Sequence, residues 1–160
     1  HALGRFALAA EHFEKALDLR GGEDASDHEL RGNYASALLL AGRRKEAADQ
    51  FELALGEVEG HIVAVNGGAV PRAYRAYYQA ALSSLAQDDD VSETEDFLAR
   101  ELQELEGSTS DPGALAALAF ARLVRDEVSL ARPIADALAQ VCPGYAMAPE
   151  FEMLSARSGE

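Results

Sequence analysis

Arg72-Ala73-Tyr74-Arg75-Ala76-Tyr77-Tyr78-Gln79 is the stretch of this chain best equipped for recognition chemistry. Arg72, Arg75 and Gln79 recur at i, i+3 and i+7, which places them on one helix face. Two guanidiniums held side by side can orient a carboxylate from a partner's acidic segment or C-terminus. Tyr74, Tyr77 and Tyr78 lie on an adjoining face. Tyr and Arg are favoured at interfaces because they bury large area and keep a polar end. The same residue types have two quieter uses: tyrosines at helical spacing pack between helices, and arginines pair with carboxylates of their own chain.

Reaction chemistry has no comparable foothold. His1, His12, His28 and His61 share no metal-ligand spacing, and no pair forms His-x3-His. His12 and His28 stand beside carboxylates and are expected on solvated helix faces. No Gly-x-Ser-x-Gly elbow or Walker-type loop occurs, and Asn66-Gly67-Gly68 is too short for a phosphate cradle. Asp88-Asp89-Asp90 lacks the alternation and following Gly of a calcium loop, and reads as a solvated turn before a helix. A lone Cys142 excludes an internal disulfide and sites built on several thiolates. The expectation is a protein that is not an enzyme and carries no cofactor and no metal.

Composition narrows the partner. The formal charge of −14 on 160 residues opposes nucleic acid and anionic membrane surfaces, because phosphate binding needs clustered Lys and Arg. No apolar run approaches the roughly 18 residues of a membrane span, so direct membrane insertion is not expected. Apolar residues at 48% suffice for a core, and the abundant alanine favours helix and close helix packing. Arg far outnumbers Lys, a bias that fits a GC-rich bacterial genome. A single Cys and no visible signal peptide favour the cytoplasm.

The elements that must position these residues are written into a repeat. Gly4-x-Phe6-x2-Ala9-x3-Phe13-x2-Ala16-Leu17 returns 38 residues later as Gly42-x-Arg44-x2-Ala47-x3-Phe51-x2-Ala54-Leu55. A period of this size marks an array of stacked units. Small Ala and large Phe at i, i+4 and i+7 share a face on which a neighbouring helix can approach closely. This pattern resembles the second helix of a tetratricopeptide repeat. The resemblance implies an all-α chain: a right-handed superhelical stack of antiparallel helix pairs, an α-solenoid.

On that reading residues 1–20 form the second helix of a truncated repeat, and Ser26-x-x-Glu29 is a capping box opening a complete repeat over 26–58. Residues 57–70 are expected to form an ordered insertion, with Ile62–Val65 before Asn66-Gly67 resembling a strand and tight turn. A degenerate repeat follows over 71–106. Its first helix spans Arg72 to about Gln87, and Ser92-x-x-Glu95 caps a second with the stripe Val91, Thr94, Leu98, Leu102 and Leu105. After Gly107-Ser108-Thr109-Ser110, Asp111-Pro112 opens a partial repeat over 111–143 with an N-cap and Pro at N1. There Leu118-Ala119 replaces the family's Leu-Gly and Ala135 its large aromatic, while Pro133 predicts a mild kink. Residues 147–157 suit a short capping helix. The chain opens in mid-repeat without Met, so a longer repeat protein is expected.

The resemblance implies a concave groove, lined by the first helix of each repeat, that holds a partner protein's peptide or helix. Asn33 stands where the family often places an Asn that bonds a peptide backbone, and Ser36 and Leu40 follow at i+3 and i+7. With Arg72, Arg75, Tyr78 and Gln79 they make the expected groove set. Asn33 also reads as a family-common residue facing solvent. The leading expectation is a non-catalytic adaptor or scaffold. Two others stand beside it: a sensor or regulatory domain whose 57–70 loop closes over a ligand, and a permanent structural subunit of a bacterial assembly. An uncovered first-helix face makes a second copy of the chain a further candidate partner.

Overall fold

The computed structural model describes residues 2–21, 27–64, 67–86 and 92–146, and every regular element among them is an α-helix. The chain divides into two compact units, His1–His61 and Ile62–Glu160. The first holds α1 (Ala2–Leu19), α2 (His28–Leu40) and most of α3 (Arg44–Ala64). The second holds α4 (Ala69–Leu85), α5 (Ser92–Leu105), α6 (Pro112–Val124), α7 (Val128–Val141) and the single turn α8 (Pro143–Ala146).

In the first unit α1 packs on α2 through Phe6, Ala10 and Leu17, all nearly closed to solvent. The motif residues Ala47, Phe51 and Ala54 of α3 form one stripe with 0% exposure, which Val58 extends, whereas Leu55 is half-buried. Their counterparts on α1, Ala9, Phe13 and Ala16, are only half-buried. Identical residue types therefore end in different environments.

The turn between α2 and α3 is set by Gly42, whose φ of +84° lies in the left-handed region. The Arg43 N–H donates to Leu38 O at 2.9 Å and the Gly42 N–H to Leu39 O at 3.1 Å, a Schellman closure. The α6–α7 turn repeats it with Asp126 at φ 60°: the Glu127 N–H donates to Arg122 O at 2.9 Å and the Asp126 N–H to Leu123 O at 3.1 Å. Both hairpins turn by the same backbone device.

In the second unit α6 is buried on nearly every side. Ala114 to Ala119, Ala121 and Leu123 present small side chains that let α4 and α7 pack against it. Asp111 caps it by accepting from the Ala114 N–H at 2.8 Å, with Pro112 opening the helix as expected. At Gly113 the approach is so close that an added Cβ would collide with Tyr74 Oη. The helix α7 runs unbroken through Pro133.

Several sequence expectations need correction. Asp27, accepting from the Leu30 N–H at 3.0 Å, is the N-cap of α2, and Ser26 lies outside the described residues. The insertion expected over 57–70 is helical as far as Ala64. Val58 anchors it, and half-buried Ile62 continues that side one turn on. Ile62–Ala64 therefore satisfy their backbone within a helix and form no strand. The Gly67 N–H then closes the end on Ile62 O at 3.0 Å. Val65 and Asn66 lie outside the described residues, as do Val91 and the capping helix expected over 147–157. Ser92 is the first residue of α5 rather than its cap, and Thr94 is exposed. The buried stripe of α5 is Leu98, Leu102 and Leu105.

Candidate interaction site

The arginine stripe of α4 faces α5. Arg72 donates to Glu101 through both Nε (3.0 Å) and Nη2 (2.9 Å), and its Nη2 reaches Glu104 at 3.2 Å. Arg75 Nη2 donates to the same Glu101 at 2.9 Å. Two turns further on, the Ser83 hydroxyl donates to Glu95 at 2.6 Å. Residue numbers rise along α4 as their partners' fall along α5, so the two helices are antiparallel and the polar groups form one seam. Glu101 is its centre, with a side chain only 7% exposed between two guanidiniums.

The electrostatics follow from that placement. Burial pushes the Glu101 carboxyl up, but the hydrogen bonds from Arg72 and Arg75 outweigh it and hold it below the ordinary carboxylate range. The Arg72 guanidinium is correspondingly raised, first by its hydrogen bond to Glu101. A second cluster continues the seam onto α6. Arg122 bridges Glu106 (2.8 Å) and Glu127 (2.7 Å), and Arg125 bridges Glu95 and Glu127. Burial also raises the Glu127 carboxyl, and the bonds from Arg125 and Arg122 lower it on balance.

These contacts decide the fate of the sequence-derived groove set. Arg72 and Arg75 pair within the chain, the quieter of their two uses. Tyr78 is 1% exposed, and Tyr77 lies between it and Phe120 of α6 with ring centroids 5.7 Å from each, so these tyrosines pack between helices. Gln79 is half-buried, and its Oε1 has no hydrogen-bond partner among the described residues. Leu40 is 1% exposed and belongs to the core, because it sits in the last turn of α2 just before the chain folds back. Ser36 is half-buried and its hydroxyl donates to Gly32 O at 2.9 Å. Asn33 alone of the set is exposed.

Sequence reasoning missed the carboxylates. Glu95, Glu101 and Glu104 become visible only when α4 and α5 are laid antiparallel, which single-helix periodicity does not do. It also missed Arg31, a buried residue on α2 that donates to Glu57 (2.9 Å) and Gln50 (3.2 Å) and so ties α2 to α3. Burial raises the Glu57 carboxyl despite Arg31. His28 was expected to be solvated. It is half-buried, its ring 6.0 Å from that of His61, and burial followed by that neighbour lowers its pKa. Among the described residues no group of three or more His, Cys, Asp or Glu is placed to hold a metal ion. No helix among them is long and apolar enough to cross a membrane.

What these observations define is an all-helical chain of two units, with helical hairpins joined by short turns and held by buried arginine–carboxylate pairs. Compared with known proteins, the chain matches no family model, no curated protein and no solved structure.

Proposed function

We propose that this chain is a non-catalytic helical-repeat adaptor of the tetratricopeptide type, which binds a peptide or helix of a partner protein. The observation that carries the reading is the repetition itself. The Gly/Ala/Phe motif recurs on α1 and α3, and the hairpins α2–α3 and α6–α7 close with the same Schellman turn. Repeated hairpins of this kind stack into extended binding surfaces, and an α-solenoid is the architecture they fit best. Binding then falls to the exposed side of a first helix. On α2 that side carries Asn33, whose amide can both donate to and accept from a partner's backbone.

The test is affinity capture with wild-type chain and Asn33→Arg side by side, after circular dichroism has established equal helicity. A protein retained by wild type and released by the variant supports the reading. Equal retention by both removes α2 from it.

A second reading, a permanent subunit of a larger assembly, rests on α1. Leu3, Leu8 and Leu19 are exposed there, Leu19 to 89%. Apolar groups left in water favour association. Sedimentation velocity on the isolated chain should then show self-association that Leu8→Glu with Leu19→Glu abolishes. A monomer at all concentrations counts against it.

A further inference from the structure

We propose that the α4–α6 surface beneath α5 is a receptor for an acidic amphipathic helix, and that α5 is its exchangeable intramolecular occupant. The inference goes beyond the α2 face and stands or falls without it.

Three observations carry it. First, α5 is held by a short apolar stripe flanked by a run of ion pairs. Its closed apolar contacts are Leu98, Leu102 and Leu105, while Glu95, Glu101, Glu104 and the following Glu106 all meet arginines. Two of those four carboxylates lie near water: Glu95 is 37% and Glu104 67% exposed, so their pairs are screened by salt. Second, the arginines belong to the surface that stays behind. Arg72 and Arg75 are fixed on α4, and Arg122 and Arg125 at the end of α6, with Arg122 only 6% and Arg125 10% exposed. In a chain of net charge −14 this cluster is a local positive field that selects acidic helices. Third, α5 leaves that surface incompletely satisfied. Arg75 Nε, Gln79 Oε1 and Arg125 Nε are buried without a hydrogen-bond partner among the described residues. An unmet buried polar group is a standing penalty. A helix with the same Glu and Leu spacing, and polar groups reaching these atoms, would fit better than α5 does.

The partner's chemistry follows. It is a helix with a Glu where Glu101 stands, leucines three residues before and one and four residues after it, and a hydrogen-bond donor positioned for Gln79 Oε1. Single-sided acidic helices of other spacing, or basic helices, do not fit.

The test uses the intact chain and a fluorescent peptide of residues 92–106, with native-state hydrogen exchange as a second readout. The expected result has α5 amides exchanging at least about tenfold faster than those of α6, through local opening. The peptide should bind and accelerate α5 exchange further, and raising NaCl from about 0.05 to 0.3 M should speed α5 exchange even without peptide, because the pairs that hold α5 are screened. A scrambled acidic peptide should not bind, and Arg75→Gln should accelerate α5 exchange in the absence of peptide. If α5 amides exchange only with global unfolding, α5 is a fixed part of the fold and the proposal fails. It fails equally if α5 opens but the peptide does not bind, or if the scrambled peptide binds as well.

Discussion

Phe13 and Phe51 are the same residue at the same position of a repeated motif, yet Phe51 is fully closed and Phe13 half-buried. Truncating a closed Phe removes its transfer energy and leaves a cavity, so Phe51→Ala should cost about 3–5 kcal/mol. Phe13→Ala keeps part of its surface in water before and after, and should cost about 1–2 kcal/mol. Urea unfolding of the two variants checks the difference, and equal losses would mean that both rings are equally covered in solution. Gly113 offers a sharper residue-scale test. Gly113→Ala drives a methyl into Tyr74 Oη, and overpacking of this kind costs roughly 1–3 kcal/mol. Removing the hydroxyl with Tyr74→Phe should recover most of that loss, so the double variant should be more stable than Gly113→Ala alone.

At the scale of elements, the α4–α5 pair depends on Glu101. Glu101→Gln keeps the shape but removes the charge shared by Arg72 and Arg75. Hydrogen bonds to charged groups are worth about 1.5–3 kcal/mol each. Exposure of the two arginine side chains, 24% and 22%, reduces the expected loss to about 2 kcal/mol in all. The folded carboxyls of Glu101 and Glu127 lie below the ordinary range. Their stabilisation is therefore complete above the unfolded pKa of about 4.3 and is lost as pH falls through the folded value. Denaturant unfolding from pH 6 to 3 should show this loss, and Glu101→Gln should flatten it. In the first unit His28 acts at higher pH. His28, lowered by burial and by His61 although Asp27 opposes them, favours its neutral form in the fold. Its contribution is present above about pH 6.5 and declines as pH falls below it. His28→Gln should lose that pH dependence, read as the difference from wild type between pH 7.5 and 5.5.

For the whole molecule the governing quantity is the net charge of −14. Self-repulsion of this size opposes compaction and is screened by salt, whereas the exposed ion pairs are attractive and are screened too. Repulsion acts among all the surplus carboxylates, so it outweighs the few exposed pairs. Adding NaCl from about 0.02 to 0.2 M should therefore raise the global melting temperature, even while α5 exchanges faster locally. A fall in melting temperature would mean that the arginine seam, and not the overall charge, dominates stability.

Legible in the residues alone were most of the helices, the stripe Ala47, Phe51 and Ala54, the Asp111-Pro112 start and the turn at Gly42. Each is a local matter: periodicity, capping chemistry and a left-handed backbone position act over a few residues. The limits of that locality show at Ile62–Ala64, where a β-branched run resembled a strand and α3 instead continues through it. They show again in the groove set. Spacing placed Arg72 and Arg75 on one face but could not say what that face meets. Only the antiparallel approach of α5 decided that it meets Glu101 and Glu104, and only packing decided that Leu40 and Tyr78 are core. A face is a property of one helix, whereas its use depends on the helix opposite, supplied by residues about 20 to 30 positions away in the chain.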